Sequence, residues 1–234
     1  MKRGQVTIFV VVGIIIIILV FLVAYFKSTD FGKERSQANK LTTEEEIVRT
    51  LVQECINTVA ERGIFIAQKQ SGYIFLKNDG IDFEGYKVPF VFDKGKINVI
   101  SIKEFQKDIN DYISQNVPKC IKPEASFGKI QVRTILDKEI IIQVSYPFTI
   151  LIKDGSVRND QSYEYINEAP IKQFLEIIKE VAEETKRNPE AIHLTPLITQ
   201  ETFDSDTVLE ENIIIYHLKD FIREEEYYFS IRRN

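Results

Sequence analysis

The sequence contains little cysteine and little histidine, with two residues of each. Cys55 and Cys120 lie far apart in the chain, lack Cys-x-x-Cys spacing and have no histidine nearby, so they do not resemble a zinc-binding set. We therefore expect no metal and no cofactor. Three states of the cysteines are open: one disulfide joining two helices in an oxidising compartment, two buried free thiols, or a nucleophile, for which no activating neighbour is evident.

The sequence also lacks the short motifs of well-known enzyme classes, since GxSxG, HExxH, P-loop and GxGxxG patterns are absent. His193 and His217 each lie among aliphatic residues, which is typical of half-buried histidines rather than of ligands or bases. With 35 acidic residues some carboxylates lie close by chance, so no glycosidase pair is assigned. We expect a protein that is not an enzyme; a membrane-anchored hydrolase without a recognisable site is the third alternative.

Basic residues are not in excess, because 30 Lys and Arg face 35 Asp and Glu, for a net charge of −5. No basic patch or stripe is evident, so nucleic acid is not an expected partner. Glycine and proline are few, with 10 and 7 residues, and no low-complexity tract or internal repeat is present. The chain is long enough to bury the core of one domain or of two small ones.

Residues 6–26 lack any charged side chain and are mainly Ile, Val, Leu and Phe. A helix of this length spans about 31 Å, close to the hydrocarbon thickness of a bilayer. Lys2 and Arg3 precede the stretch and Lys27 follows it. Because basic residues lie on both flanks, charge alone hardly decides which end of the helix faces the cytoplasm. The sequence therefore predicts a single membrane-spanning helix within 1–27, membrane lipid as a partner and the cell membrane as the location.

A short motif precedes this stretch: Lys2-Arg3-Gly4-Gln5-Val6-Thr7. It resembles the class III signal of archaeal type IV pilin-like proteins, in which a prepilin peptidase cuts after a basic-Gly pair that is followed by Gln. The resemblance covers about the first 26 residues. It implies that Arg3, Gly4 and Gln5 are processing residues, and that a prepilin-type peptidase and other copies or other pilin-like subunits are partners. Together with the cysteine pair, it favours a head outside the cytoplasm.

The sequence departs from this family at Phe9, where pilin-like proteins usually carry a glutamate that is thought to pair with a neighbouring N-terminal amine. The departure favours a minor or accessory subunit over a main filament subunit. The alternative interpretation of the whole segment is an uncleaved signal anchor in which Arg-Gly-Gln is incidental.

The rest of the chain predicts a polar neck at 28–42 and a head at 43–234, with a subdivision near 123 as an alternative. Helices are expected at 43–70, 101–120 and 170–187. Ser71-Gly72 predicts the end of the first, and the capping-box spacing of Ser101 and Glu104 predicts the start of the second. Alternating or apolar runs predict the strands. They lie at 73–76, 88–92, 96–100, 129–136, 139–146, 148–152, 157–166, 212–218 and 227–231. Pro89 predicts an edge strand.

The predicted fold class is thus α+β, with an N-terminal single transmembrane helix followed by a mostly antiparallel α+β extracytoplasmic head. The function we expect is that of a non-enzymatic, membrane-anchored cell-surface protein, a pilin-like minor or accessory subunit of an archaeal surface filament. The alternative is an uncleaved single-pass envelope protein whose head binds a partner protein or a surface polymer.

Overall fold

The computed structural model of the chain describes residues 16–18, 44–121, 125–152, 155–198 and 202–233. They belong to two compact units, Met1–Thr50 and Leu51–Asn234. In the first unit, residues 16–18 and 44–50 are helical. The predicted neck at 28–42 and the processing residues Arg3, Gly4 and Gln5 lie outside the described residues.

The predicted membrane-spanning helix requires a correction. No helix among the described residues is long and apolar enough to cross a membrane. Of the uncharged stretch 6–26, only 16–18 is described, and the remainder lies outside the described residues. The helix Ile102–Cys120 has sufficient length, but it carries Lys103, Glu104, Lys107, Asp108, Asp111 and Lys119 and is amphipathic. The predicted fold class is wrong in this part, and the described chain is α+β with a mixed sheet.

The helices described in the second unit are α1 (51–69), α2 (Ile102–Cys120), α3 (Ile171–Arg187) and α4 (Thr195–Ile198). The capping box predicted for α2 is confirmed, because the Ser101 hydroxyl accepts from the Glu104 N–H and the Glu104 carboxylate accepts from the Ser101 N–H. α2 ends at Cys120 and α3 begins after Pro170, as the sequence predicts.

The strands described in the second unit are β1 (Gly80–Phe83), β2 (Tyr86–Asp93), β3 (Lys96–Ile97), β4 (Ser126–Phe127), β5 (Gln131–Leu136), β6 (Ile140–Ser145), β7 (Phe148–Ile152), β8 (Gly155–Asn159), β9 (Ser162–Asn167), β10 (Phe203–Glu210), β11 (Ile213–Asp220) and β12 (Glu226–Arg232). Residues 73–76 form no strand, contrary to the prediction. The strands β1, β4 and β10 were not predicted.

The largest sheet has the order β1-β2-β12-β11-β10, with β3 paired to β2. All of its pairings are antiparallel except β2 with β12, which are parallel. Pro89 therefore lies in a strand with a neighbour on each side, and the edge-strand prediction is wrong. The physical reason is that the parallel ladder begins only at Phe90 and Ser230, one residue after the missing N–H of Pro89.

The C-terminal end of α1 fills the space where β2 and β12 diverge. The backbone N–H of Ser71 donates to the carbonyl of Tyr228 over 3.0 Å, and its hydroxyl donates to the carbonyl of Pro89 over 2.9 Å. Ser71 and Gly72 have φ values of 54° and 86°, which turn the chain sharply after the helix. The predicted helix stop at this point is confirmed.

The other two sheets have the orders β4-β7-β8 and β5-β6-β9. β6 and β7 are separated only by Tyr146 and Pro147, and β8 and β9 only by Asp160 and Gln161. The two sheets are therefore two halves of one three-stranded antiparallel meander, and each of its strands is interrupted at the same level. Its inner side, which includes Ile142, Val144 and Phe148, is buried.

The helices cover both the largest sheet and the meander. Phe174 of α3 lies 4.9 Å from the ring of Tyr227 in β12, centroid to centroid. Gln106 of α2 donates to the carbonyl of Thr134 in β5. A Cβ at Gly63 of α1 would lie 2.6 Å from the Ile109 side chain, so α1 and α2 pack closely along each other.

Candidate functional site

The two cysteines form a disulfide, which is the first of the three states that the sequence left open. The Cα atoms of Cys55 and Cys120 lie 5.9 Å apart, and the pair is separated by 65 residues in sequence. This distance is within the usual range for a bridged pair. The bond joins α1 to the last residue of α2, and it excludes both the pair of free thiols and the thiol nucleophile.

The two histidines lie in different parts of the second unit. The Nε2 atom of His193 is 2.9 Å from the carbonyl of Asn188, and Nδ1 is 3.2 Å from the Glu184 carboxylate. The Nε2 atom of His217, in β11, is 3.7 Å from the Glu226 carboxylate. Among the described residues, no group of three or more His, Cys, Asp or Glu side chains is placed to hold a metal ion.

A buried lysine lies at the C-terminal end of α1. Lys69 is 5% exposed, and its ammonium group is 2.8 Å from the carboxylate of Glu226 at the start of β12. The same ammonium lies over the ring of Tyr228 at 4.3 Å, and within 6 Å of the rings of Phe65 and Tyr86. A carboxylate and three aromatic rings therefore compensate the charge that burial would otherwise make costly.

The hydroxyl of Tyr228 lies between two carboxylates. It is 2.6 Å from Glu84 and 2.7 Å from Glu226, and its single proton can be donated to only one of them at a time. Burial and these carboxylates raise the pKa of Tyr228 well above its ordinary value. The hydrogen bond from Lys69 has the largest effect on Glu226 and the hydrogen bond from Tyr228 the next largest, and they lower its pKa to about 2. The tyrosine therefore acts as a proton donor, and the cluster joins α1, β12 and the β1–β2 turn.

Replacement of Glu226 is expected to lower stability in a pH-dependent way. The folded-state pKa of Glu226 is depressed from 4.5 to about 2, so its stabilisation is fully present above about pH 4.5 and is lost as pH falls towards 2. Glu226→Gln should reduce the free energy of unfolding at pH 7 by about 1–2 kcal/mol, after a discount for the exposed carboxylate. Urea denaturation at pH 7, 4 and 2 measures this difference.

The control for this experiment is Asp111→Asn, which breaks the exposed pair between Lys107 and Asp111 on α2. Its effect should stay within about 0.5 kcal/mol at pH 7. The free energy of unfolding of the wild-type protein should exceed that of Glu226→Gln by less at pH 2 than at pH 7. An equal difference at the two pH values would refute the role given to the ion pair.

The outer face of the meander forms a polar surface, which we call the trough. Along its middle strand, every second side chain points outward, and this alternation continues from β6 into β7. The outward residues are Gln143, Ser145, Pro147 and Thr149. The residues between them, Val144, Tyr146 and Phe148, are buried. Cross-strand neighbours extend this stripe to three rows. These rows are Ser126–Thr149–Arg158, Gln131–Ser145–Ser162 and Arg133–Gln143–Glu164.

The trough is concave where its two pockets lie. Two shallow pockets of about 360 and 230 Å³ lie on it, and Gln131 lines both. The described residues that line them include three basic side chains, Lys129, Arg133 and Arg158, and no Asp or Glu. Two acids lie next to the pockets: Asp160 accepts from Arg158 over 2.8 Å, and Glu164 accepts from Gln143 over 3.4 Å. The trough is thus a basic, hydrogen-bonding surface on an acidic chain.

Sequence reasoning found the disulfide but neither the Lys69 cluster nor the trough. Lys69, Glu84 and Glu226 are distant in sequence, and no local pattern marks them as neighbours. The alternation of β5 and β6 was a usable signal for an exposed polar face, but the common interruption of the three strands was not visible in it. Comparison with known protein families, with curated proteins and with solved structures finds no match for the chain.

Proposed function

We propose that this chain is a non-enzymatic surface protein whose disulfide-linked head, Leu51–Asn234, lies outside the cytoplasm. The observation that carries the proposal is the Cys55–Cys120 bond. Disulfides form and persist in oxidising compartments and are rare in the cytosol, where thiol reductants keep cysteines reduced. The bond supports an extracytoplasmic head independently of the N-terminal motif.

The N-terminal segment supports a position at the cell membrane. Residues 6–26 carry no charge and follow Arg3-Gly4-Gln5, the pattern that resembles a prepilin-type processing signal. Its apolar surface is suited to contact with lipid or with the apolar segments of other pilin-like subunits. The partners we propose are therefore membrane lipid, a prepilin-type peptidase, and other copies or other pilin-like subunits, without nucleic acid.

The role we propose within a filament is minor or accessory. A carboxylate at position 9 could neutralise a neighbouring amine inside an apolar filament core, where an unpaired charge is costly. Phe9 has no group that can do this and adds only apolar packing. A main subunit, which would repeat this environment along the whole filament, is therefore disfavoured.

The oxidation state of the head in living cells tests the proposal. Cells are treated with a thiol-alkylating reagent before lysis, and the protein is digested without reduction and mapped by mass spectrometry. We expect a linked pair of peptides that contain Cys55 and Cys120, with no alkylated form of either. Recovery of both cysteines as alkylated thiols would overturn the extracytoplasmic assignment.

The N-terminus of the mature protein provides a separate prediction. A prepilin-type peptidase should cleave between Gly4 and Gln5, so N-terminal sequencing should begin at Gln5. Gly4→Leu should block this cleavage, because a bulky side chain replaces the small residue at the cut site. Gly13→Leu, which alters a glycine inside the apolar stretch, is the control and should leave the cleavage intact. An intact Met1 terminus in the wild-type protein would refute the pilin-like processing.

The second candidate function, an envelope protein whose head binds a partner protein or a surface polymer, is favoured by a specific observation. The trough combines concavity, three basic side chains and hydroxyl and amide groups in regular rows. These are features of a surface that binds a polar ligand. The two candidates are compatible, because a minor filament subunit can also carry a binding surface.

A further inference from the structure

The charge of the trough is opposite to that of the whole chain. The protein carries 35 acidic and 30 basic residues, whereas the described lining of the two pockets holds Lys129, Arg133 and Arg158 without an acid. Glu164 ends one row of the trough and Asp160 pairs with Arg158, so the basic side chains are in excess but are not the only charges there. An excess of one charge sign on a concave surface raises the local concentration of ions of the opposite sign. The trough therefore favours an anionic ligand over a neutral or cationic one.

The spacing of the arginines favours an extended ligand. Arg133 lies opposite Gln143 of the middle strand, and Arg158 lies opposite Thr149, six residues further along it. Six residues of strand span at most about 20 Å. A polymer that lies along the trough can therefore contact both guanidinium groups.

The groups between the arginines favour a carbohydrate over a protein. Gln131, Ser145 and Ser162 form one row across the three strands, and each side chain can both donate and accept hydrogen bonds. Sugar hydroxyls also donate and accept, so the two patterns complement each other. The buried centres of protein interfaces are instead rich in aromatic and apolar side chains and poor in charge.

We propose that the trough binds an acidic polysaccharide, whose carboxylates pair with Arg133 and Arg158 while its hydroxyls bond to the row of Gln131, Ser145 and Ser162. Arginine holds carboxylates with two parallel hydrogen bonds, which gives orientation as well as attraction. The half-buried ring of Pro147 supplies an apolar contact beside this row. The inference deepens the second candidate function, the binding of a surface polymer. It rests on the proposed function in one respect, because a head outside the cytoplasm is where such a polymer is encountered.

The test uses the full-length protein in a non-ionic detergent, titrated by calorimetry at low ionic strength with three polymers. Polygalacturonate carries a carboxylate on each sugar, dextran has hydroxyls without charge, and polyglutamate has carboxylates without hydroxyls. We expect polygalacturonate to bind at least tenfold more tightly than either of the others, and its affinity to fall as salt is added. Equal binding of polyglutamate would favour an acidic protein partner and overturn the proposal, as would equal binding of dextran or no binding of polygalacturonate.

The variant Arg133→Gln/Arg158→Gln should weaken the binding of polygalacturonate at least tenfold. Both side chains are exposed, so its thermal unfolding should match that of the wild-type protein. The matched control is Lys107→Gln/Lys179→Gln, which removes the same charge from exposed positions on α2 and α3. Equal losses in the two variants would show that net charge alone acts, and would overturn the site. Because purified protein is used, failure here leaves the disulfide test of the surface location unaffected.

Discussion

Removal of the Cys55–Cys120 disulfide is expected to lower the free energy of unfolding by about 4 kcal/mol. The bond closes a loop of 65 residues, and chain-entropy estimates for a loop of that size give about this value. It also joins α1 to the end of α2, whose other contacts include the close approach at Gly63. Urea denaturation of Cys55→Ser/Cys120→Ser and of the wild-type protein measures the difference.

Reduction of the wild-type protein provides the control for this substitution. A reducing agent should lower the urea midpoint of the wild-type protein to that of the double variant, and should leave the double variant unchanged. A double variant with the same urea midpoint and slope as the oxidised wild-type protein would contradict the stabilising role of the bond.

Gly72→Ala is expected to destabilise the second unit by about 3 kcal/mol. Gly72 has φ of +86°, a left-handed conformation that costs a residue with a Cβ about 1 kcal/mol. That Cβ would lie 2.5 Å from Leu175 of α3 and 3.0 Å from Ile100, both of which are buried. Relief of such overlap in a packed core costs about 1–3 kcal/mol more. Chemical denaturation of the variant measures the sum.

Gly85→Ala separates the two contributions. Gly85 has nearly the same conformation, with φ of +83°, but no atom beyond its two chain neighbours lies within 4 Å of the position of its Cβ. It lies in the turn between β1 and β2, so its replacement should cost only the conformational part, about 1 kcal/mol. Equal losses in Gly72→Ala and Gly85→Ala would show that the contact with α3 contributes nothing.

Much of the helical structure was predictable because its signals are local. The capping box of Ser101 and Glu104 gave the start of α2, and Ser71-Gly72 gave the end of α1. The predicted disulfide followed from the presence of only two cysteines, and the structure confirms it. Each of these signals depends on residues within a few positions of one another or on a simple count.

Features that depend on distant residues could not be predicted. Nothing near Pro89 indicates that β12 pairs beside it in parallel, one residue further along β2. The Lys69 cluster draws on residues from three separate parts of the chain. The strand expected at 157–166 is two strands, because the pairing is interrupted at Asp160 and Gln161. Propensity predicts a strand but not its neighbours.

Surface labelling of intact cells tests the central claim, an extracytoplasmic head, most directly. The amines of Lys107 and Lys179 are well exposed, with 73% and 68% of their side chains accessible. A membrane-impermeant amine reagent, added after removal of any surface layer, should label peptides that contain these lysines as fully in intact cells as in lysates. Labelling of these lysines only after lysis would contradict the account.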